Sequence, residues 1–426
     1  MRRNLLHVGY KELSYEIREI VAIAKEVEKY GREIVWENVG DPVIKGEKIP
    51  SRMKEIVKNA LDKNEVYAYS PTKGLDATRE YLAKKNGKIT KEDIIFFNGL
   101  GEAINKTYGY LAFSARVIGP NPAYPTHSSA EATNSGSEHI TYTLDPNNDW
   151  NPDVEEIENK VKYNPNVAGI LVINPHNPTG AVFKREVLEK IIDIARRYKL
   201  FVIFDEIYEK LVYEEKDRVL LRDIIGEVPG ISMKGISKEL PWPGGRCGRI
   251  EVYNSDKDEN FAKYINSILS SKMLEVCSTT LPQYVIPEIY EKEEFKEYLK
   301  NRIEKYKQKA EIANKYLGDL DNVLFVKPKG AFYLAIKFDL SRFNLEYTPE
   351  IKEENLKKFL EEKTKNKRFD KKFCYYMIAK NGICTVPLSG FNSTFDGFRM
   401  TILEEDLEKF EYILKNIREF IIEYRK

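Results

Sequence analysis

A lysine and an arginine flank a proline- and glycine-rich segment in the second half of the chain. Between Gly235 and Gly248, Lys238 stands eight residues before Arg246, with two prolines and two glycines between them. Because proline and glycine disfavour regular helix and central strand, we expect a shaped loop here. An amine can condense with an aldehyde, and a guanidinium group can bind a phosphate through two parallel hydrogen bonds. The pair therefore suits an aldehyde cofactor that carries a phosphate, although most of the 68 lysines and arginines must be surface charges.

A rigid turn is predicted in the segment from Asn174 to Gly180. Two prolines and a glycine restrict its backbone, and the apolar run 168–173 before it is typical of a buried strand. Asn177 would then be held in a fixed direction at the end of that strand. An ordinary turn without a function is the alternative, since asparagine, proline and glycine are common turn residues.

Two other apolar runs end in residues that suit ligand binding. Residues 200–204 precede Asp205, and residues 93–97 precede a Gly99-Leu100-Gly101 turn that opens a helix. Ligands of open parallel sheets bind at the carboxyl ends of the strands, and free N–H groups at a helix N-terminus bind phosphate. We therefore expect these strand ends to form one site.

Two classes of nucleotide-binding protein do not fit the chain. The turn at Gly99 has Ile104 where a dinucleotide-binding fingerprint needs its third glycine, which disfavours a nicotinamide dehydrogenase. The apolar run before Asp205-Glu206 resembles a Walker-B strand, but no GxxxxGK[ST] loop occurs in the sequence. This absence disfavours a P-loop nucleotide hydrolase.

Periodicity predicts the elements that must position these residues. Apolar runs at 168–173 and 200–204 flank an amphipathic helix at 184–198, which is the pattern of a βαβ unit in a buried parallel sheet. A further strand is expected at 330–336, and a charged, exposed helix at 352–372. Both ends of the chain show helical spacing of apolar residues. These are Leu13, Ile17, Ile20, Ala24 and Val27 at the start, and Leu403, Leu407, Phe410, Leu414, Ile417 and Ile421 at the end.

We therefore predict an α/β fold in two domains. Residues 45–288 are expected to form the large domain, with a mainly parallel sheet of the seven-stranded type. Residues 1–44 and 289–426, from both chain ends, are expected to form a smaller α+β domain. A chain of 426 residues is too long for one simple core, which favours this division.

Composition limits the function further. The formal net charge is +1, so no overall field favours nucleic acid or an anionic membrane. The four cysteines, at 247, 277, 374 and 384, form no CxxC pair, and neither they nor the four histidines show metal-like spacing. The start lacks a signal-peptide core, and no apolar run approaches the ~18 residues of a spanning helix. We expect a cytoplasmic protein without a metal.

The motifs together resemble those of a known family. In order and separation they are similar to the motifs of the fold-type I pyridoxal-phosphate aminotransferases of class I/II, the aspartate aminotransferase-like group. The matching residues are Asn174 to Gly180, Asp205 to Tyr208, and Ser237-Lys238 with Arg246. The resemblance extends from Asn38 to Thr401 and implies this family's fold, with pyridoxal 5'-phosphate as cofactor.

The resemblance implies roles for the central residues. Lys238 would bind the cofactor aldehyde and then carry the proton between the substrate Cα and the cofactor. Asp205 would pair with the pyridine nitrogen and keep it protonated. Asn177 and Tyr208 would donate hydrogen bonds to the phenolic oxygen, and Tyr208 would belong to the catalytic group with Lys238 and Asp205.

It also implies how the rest of the cofactor is held. Arg246 and Ser237 would bind the phosphate together with the backbone N–H groups of Leu100 and Gly101. Tyr124 would stack on the pyridine ring. For each residue the alternative is a position without a functional role. For Tyr124 this alternative is packing in a hydrophobic core.

The substrate side and the assembly follow from the same resemblance. Arg399 would bind the α-carboxylate of an L-amino acid, with Gly40 and Asn177 beside it. Tyr69 would reach the phosphate in a neighbouring subunit, which implies a homodimer with shared sites. Gly235 occupies a position where many family members have a serine that contacts the phosphate. The resemblance implies a ping-pong transfer of the amino group to a 2-oxo acid.

Two alternatives remain open at this point. The same lysine, aspartate and arginine would support a pyridoxal-phosphate C–S lyase or synthase. A cofactor-binding regulator without catalysis is disfavoured, since residues 1–36 before the first motif are too few for a winged helix. The sequence does not name the amino acid or the oxo acid.

Overall fold

The computed structural model of the protein describes residues 5–7, 9–12 and 16–426, with the backbone alone at residues 12, 16 and 17. The strands of the described residues are β1 (Val35–Trp36), β2 (Ile94–Phe97), β3 (Arg116–Asn121), β4 (Thr141–Asp145), β5 (Asn151–Pro152), β6 (Val167–Ile173), β7 (Phe201–Asp205), β8 (Gly230–Gly235), β9 (Gly248–Tyr253), β10 (Val323–Phe325), β11 (Tyr333–Phe338), β12 (Ile383–Cys384), β13 (Val386–Pro387) and β14 (Gly397–Thr401). The α-helices of the described residues are α1 (Glu16–Glu28), α2 (Ser51–Ala60), α3 (Asp76–Asn86), α4 (Leu100–Gly109), α5 (Pro125–Ser135), α6 (Val154–Tyr163), α7 (Arg185–Arg197), α8 (Leu221–Ile224), α9 (Ile236–Glu239), α10 (Glu259–Met273), α11 (Thr280–Glu291), α12 (Glu293–Leu317), α13 (Glu354–Thr364), α14 (Phe369–Asn381) and α15 (Leu407–Glu423).

The larger sheet has the strand order β2-β9-β8-β7-β6-β3-β4-β5. The strands from β8 through β7, β6 and β3 to β4 pair in parallel, while β9 is antiparallel to both of its neighbours and β5 is antiparallel to β4. The predicted α/β fold with a mainly parallel sheet is confirmed. The described sheet has eight strands rather than seven, because the two-residue β5 extends one edge.

The predicted βαβ unit corresponds to β6, α7 and β7. Strand β7 is buried along its whole length, as is nearly all of β6, which explains their continuous apolar runs. On α7, Leu188, Ile191 and Ala195 lie on one face and are buried against the sheet. The observed ends differ from the predicted ones by about one residue.

A second sheet of four antiparallel strands has the order β10-β11-β14-β13. Strand β11 begins at Tyr333 rather than at the predicted Gly330, and Ala331 just before it has a φ of 55°. A separate parallel pair joins β1 to β12. Helices α12 and α15 pack on each other beside these strands.

The terminal helices are confirmed with two adjustments. In α1, Ile20, Ala24 and Val27 are buried as predicted, whereas Leu13 lies outside the described residues and the side chain of Ile17 is not described. The last helix begins at Leu407, because the Asp406 side chain accepts hydrogen bonds from the N–H groups of residues 408 and 409. Leu403 therefore precedes this helix.

Two further segments differ in detail from the structure predicted from the sequence. The predicted loop around Lys238 contains a single turn of helix, α9, followed by a 3₁₀ turn at Pro243–Gly245. The charged segment 352–372 contains α13, whose Leu356 and Leu360 are fully buried, and the start of α14. In the described part of the chain, no helix combines the length and apolar character needed to cross a membrane.

Candidate active site

The carboxyl ends of the central strands border a cavity of about 280 Å³. All of the residues predicted for the site line this cavity except Tyr69. Those brought together are Gly40, Leu100, Gly101, Tyr124, Asn177, Asp205, Tyr208, Ser237, Lys238, Arg246 and Arg399. The cavity also has lining residues that were not predicted, which are Asn38, Ile104, Ile173, Ile207, Pro243 and Tyr333.

Lys238 lies on α9, immediately beyond the end of β8. Its Nζ donates a hydrogen bond to the backbone oxygen of Gly40 at 2.6 Å. Burial lowers the pKa of the Lys238 amine to about 8, although the nearby carboxylate of Asp41 opposes the shift. Three guanidinium groups strengthen the lowering, those of Arg399, Arg302 and Arg246. A buried amine of this kind can both give and take a proton near neutral pH.

Asp205 ends β7 and is 3% exposed. Its Oδ1 accepts a hydrogen bond from the N–H of Ile207 at 3.1 Å, and its Oδ2 lies 3.0 Å from Nε2 of the fully buried His127. The other ring nitrogen of His127 lies 3.2 Å from the hydroxyl of Tyr108. An ionised Asp205 can only accept, so His127 donates from Nε2 and accepts from Tyr108 at Nδ1. The carboxylate is thus fixed in direction.

The turn after β6 holds Asn177 rigidly. The N–H of Gly180 donates to the oxygen of His176 at 2.8 Å, and His176 Nδ1 lies 2.8 Å from the Thr179 hydroxyl. Asn174 Oδ1 accepts from the N–H of Phe183 at 2.9 Å, which ties the turn to the next segment. Among the described residues, Asn177 Oδ1 has no hydrogen-bond partner. Asn177 is also one of the residues that line the cavity, so its amide group suits a ligand there.

The N-terminus of α4 and Arg246 form the end of the cavity that suits an anion. Gly99 precedes α4 with a φ of +85°, and a Cβ there would lie 2.2 Å from Arg246 Nη2. Glycine therefore lets the guanidinium approach the first N–H groups of the helix. Arg246 itself is exposed, and its Nη1 donates to the oxygen of Pro243 at 3.0 Å. Ser237 lines the same cavity.

The opposite end of the cavity is built around Arg399 on β14. This residue is 2% exposed, its Nη2 donates to the oxygen of Asn38 at 3.0 Å, and its guanidinium lies 4.7 Å from the centre of the Tyr333 ring. The hydroxyl of Tyr208 donates to that of Tyr333 at 3.0 Å. A Cβ at Gly40 would lie 2.2 Å from the Tyr333 hydroxyl, so only glycine fits there. A buried arginine so placed suits a carboxylate.

Two predicted aromatic residues lie in different settings. Tyr124 immediately precedes α5, and its ring meets that of His127 edge-on at 6.4 Å between centres. Tyr69 is 84% exposed, so within one chain it contributes nothing to the cavity. His127, Tyr333 and Asn38 were missed because their neighbours in the site are distant in sequence; the spacing of His127 after Tyr124 is the one local signal.

The whole arrangement was compared with known proteins. The family model for aminotransferases of class I and II matches residues 34–417. An uncharacterized aminotransferase of Methanocaldococcus jannaschii is 53% identical over the full length of both chains. The glutamate-pyruvate aminotransferase AlaA of Escherichia coli is 30% identical, over 79% of this chain and 83% of that protein.

A solved structure agrees with these sequence relationships. The alanine aminotransferase of Pyrococcus furiosus superposes with a TM-score of 0.84 and is 27% identical, covering 99% of this chain and all of that one. The likeness therefore extends over nearly the whole fold.

Proposed function

The chain belongs to the aminotransferases of class I and II, enzymes that transfer amino groups, and we propose that it acts between an L-amino acid and a 2-oxo acid. The proposed reaction is of the ping-pong type and uses pyridoxal 5'-phosphate as cofactor. One observation carries this proposal. The buried amine of Lys238, with a pKa lowered to about 8, shares one cavity with the fixed carboxylate of Asp205. An amine and a carboxylate so placed fit the two ends of a pyridoxal ring.

The residues present fit this cofactor. Neither amide atom of Asn38 nor Asn177 Oδ1 has a hydrogen-bond partner among the described residues, so the cavity offers polar atoms to a ligand. Arg246 and the start of α4 suit the phosphate. When bound, pyridoxal phosphate supplies an aldehyde for amines and a ring that takes up the electron pair released at the substrate Cα.

The chain's own groups hold and move the protons. Asp205 would pair with the ring nitrogen of the cofactor, because His127 and the N–H of Ile207 hold its two oxygens in one direction. Lys238 carries the proton at the substrate Cα, and its hydrogen bond to the Gly40 oxygen keeps the free amine beside the reacting carbon. Tyr208 and Asn177 would donate to the phenolic oxygen, for which the Tyr208 hydroxyl would turn away from the Tyr333 hydroxyl that accepts its proton here.

Substrate orientation follows from the buried arginine. Arg399 takes the α-carboxylate in a two-pronged hydrogen bond, and the Tyr333 ring under its guanidinium keeps the fork in place. Fixing the carboxylate fixes which bond at Cα stands perpendicular to the ring. Tyr333 and Asn38 line the same cavity and are available to contact the rest of the substrate.

We further infer that glutamate with pyruvate, or alanine with 2-oxoglutarate, is the substrate pair. Two relatives support this: the Escherichia coli protein is named a glutamate-pyruvate aminotransferase and the Pyrococcus furiosus one an alanine aminotransferase.

Assembly is part of the proposal. We infer a homodimer in which Tyr69 of each subunit reaches the phosphate in the other, since Tyr69 stands 84% exposed and away from its own cavity. The division into a large domain at 45–288 and a small domain from both chain ends is likewise proposed, with Arg399 on the small-domain side and Lys238 on the other.

A half-reaction experiment tests the function. Protein loaded with pyridoxal phosphate is mixed with single L-amino acids while the visible absorbance of the cofactor is recorded. Glutamate and alanine are expected to bleach the band, and pyruvate or 2-oxoglutarate to restore it. The variant Lys238→Ala should lose roughly 10²–10⁴-fold in rate, the usual share of a proton-transfer group.

The control is Lys263→Ala, which removes an exposed lysine of α10 that pairs with Glu259. It should behave like the wild-type protein. Release of ammonia without an amino acceptor would show that the protein is a lyase instead. A cofactor absorbance band that no amino acid bleaches would refute the proposal.

A further inference from the structure

Arg302 holds the peptide that follows the active-site lysine. This residue lies on α12, is 3% exposed, and is not among the described residues that line the cavity. Its Nη1 donates to the backbone oxygen of Lys238 at 2.7 Å and to that of Glu239 at 3.1 Å. Because α9 is one turn long, these carbonyl groups have no following turn of helix to bind. The guanidinium satisfies them instead.

Arg302 is in turn fixed by Glu47. The Arg302 Nε lies 2.5 Å from Glu47 Oε1 in a buried ion pair, and its Nη2 donates to the Tyr306 hydroxyl at 3.0 Å. That hydroxyl donates to Glu47 Oε2 at 3.2 Å, and the hydroxyl of Tyr298 donates to Oε1. The centres of both tyrosine rings lie 5.5 Å from the guanidinium. The ion pair is therefore enclosed and has little freedom.

Glu47 belongs to the same segment as Gly40. Within this segment the N–H of Glu47 donates to the oxygen of Pro42 at 2.9 Å, and the N–H of Lys45 to the oxygen of Asp41 at 3.2 Å. The segment 40–47 is thus a closed turn. Its first residue accepts the hydrogen bond of the Lys238 amine at 2.6 Å, and its last residue reaches the Lys238 carbonyl through Arg302. Both ends of one turn therefore hold the same lysine.

We propose that Arg302 and Glu47 are positioning residues for Lys238, which fix its backbone relative to the segment 40–47 so that the freed amine returns to the reacting carbon. The inference rests on the proposed role of Lys238 as the proton carrier. Neither residue is among those that line the cavity, so the effect of losing them should fall on turnover rather than on substrate binding.

The test uses the full chain and three variants. Arg302→Met with Glu47→Gln removes both charges, so that no buried charge is left unpaired. Glu47→Gln alone keeps its volume and serves as the second variant should the double one fail to fold. Lys305→Gln is the control, because Lys305 lies on the same helix but is exposed and pairs with Glu405. Thermal unfolding is recorded for each.

The first readout is steady-state kinetics of the protein loaded with pyridoxal phosphate. In the double variant we expect kcat to fall by at least about tenfold while KM for the amino donor stays within about twofold. Glu47→Gln should show a smaller fall, and Lys305→Gln none.

The second readout needs neither cofactor nor turnover. Lys238 in the cofactor-free chain is methylated with formaldehyde and cyanoborohydride at a series of pH values, and the modified peptide is quantified by mass spectrometry. The charged and titratable groups around its amine are Asp41, Arg246, Arg302 and Arg399, with Asp205, Tyr208 and Tyr333 in the same cavity. Since Arg302 is one of the cations that lower the pKa of Lys238 to about 8, the midpoint should rise in the double variant.

The proposal requires both changes. A double variant that loses only thermal stability, with kcat and midpoint kept, would show that the pair is merely structural and overturn it. A raised midpoint in a protein that never transaminates would instead refute the proposed function while leaving the placement of Lys238 intact.

Discussion

Asp205 and His127 share a hydrogen bond whose direction decides which tautomer His127 adopts. With Asp205 ionised, Nε2 of His127 must donate, and Nδ1 is then free to accept from the Tyr108 hydroxyl, 3.2 Å away. Burial raises the pKa of the Tyr108 phenol well above its usual value, so this hydroxyl keeps its proton. The three side chains thus form a hydrogen-bonded relay that fixes the direction of the carboxylate at the cavity.

Removing the end of this relay should weaken it without destroying the site. We expect Tyr108→Phe to retain the cofactor and to lower the rate by up to about tenfold, in keeping with the ~0.5–1.5 kcal/mol of one hydrogen bond. Asp205→Asn should cost far more, since an amide cannot keep the ring nitrogen protonated. Stopped-flow recording of the half-reaction measures both.

Tyr264→Phe is the matched control for this prediction. The Tyr264 hydroxyl is also directed inward, but it donates to the oxygen of Thr107 at 2.5 Å and does not reach His127. A loss in this variant as large as in Tyr108→Phe would mean that the relay has no particular role.

Two residues of the site are each followed in the sequence by a buried carboxylate. Glu206 follows Asp205, and Glu209 follows Tyr208. Lys234 on β8 joins these carboxylates from behind the site, with its Nζ 2.7 Å from Glu209 and 3.4 Å from Glu206. The strand ends that border the cavity are therefore tied together by charge on the side away from the ligand.

Neutralising Lys234 should destabilise this arrangement strongly. We expect Lys234→Met to lower the free energy of unfolding by about 3–5 kcal/mol, because it removes the buried cation that Glu206 and Glu209 share and leaves only Lys210 paired with Glu209 among the described residues. Urea denaturation measures the change. The exposed pair of Lys263 and Glu259 is the control, and Lys263→Met should cost less than about 1 kcal/mol.

The pH dependence of this stabilisation has a definite sign. Burial opposes the ionisation of Glu209, but the charges of Lys234, Lys210 and Arg249 together outweigh it and lower the pKa of the carboxyl group. A lowered pKa contributes stability above the unfolded value of ~4.3 and loses it as the pH falls below that value. The difference between wild-type and Lys234→Met should therefore shrink in acid, and a difference that grows there would contradict the assignment.

Sequence periodicity predicted the elements but only part of the site. The elements β6, α7 and β7 were predictable from the sequence because each buries one continuous face. The turn at Asn174 was predictable from its prolines. Arg302 carried no such signal, since its contacts with Lys238 and Glu47 depend on how α12 packs. The same holds for Tyr333, which meets Gly40 and Arg399 through the pairing of β11 with β14.

At the scale of the whole molecule, Tyr69 lies in one of two neighbouring segments that expose large apolar side chains. Tyr67 is 71% exposed and Leu274 86% exposed. The two segments are neighbours, because Thr280 donates to the oxygen of Ala68 at 2.7 Å and Ser70 to that of Ser278 at 3.1 Å. Apolar side chains gathered in this way favour burial against another protein surface. They support the proposed dimer, in which these segments would carry Tyr69 into the neighbouring site.

Mixed dimers test whether the sites are shared. Subunits with Tyr69→Phe are unfolded and refolded with an equal amount of subunits with Lys238→Ala, each variant being weakly active alone. If Tyr69 serves the neighbouring site, half of the dimers are mixed and each mixed dimer has one site free of both changes, so about a quarter of the wild-type activity should return. Were Tyr69 to serve its own subunit's site, each chain of every dimer would carry one damaged site and mixing would restore nothing. Since the two outcomes differ in whether any activity returns, the experiment decides between a shared and a separate site whatever the amino donor proves to be.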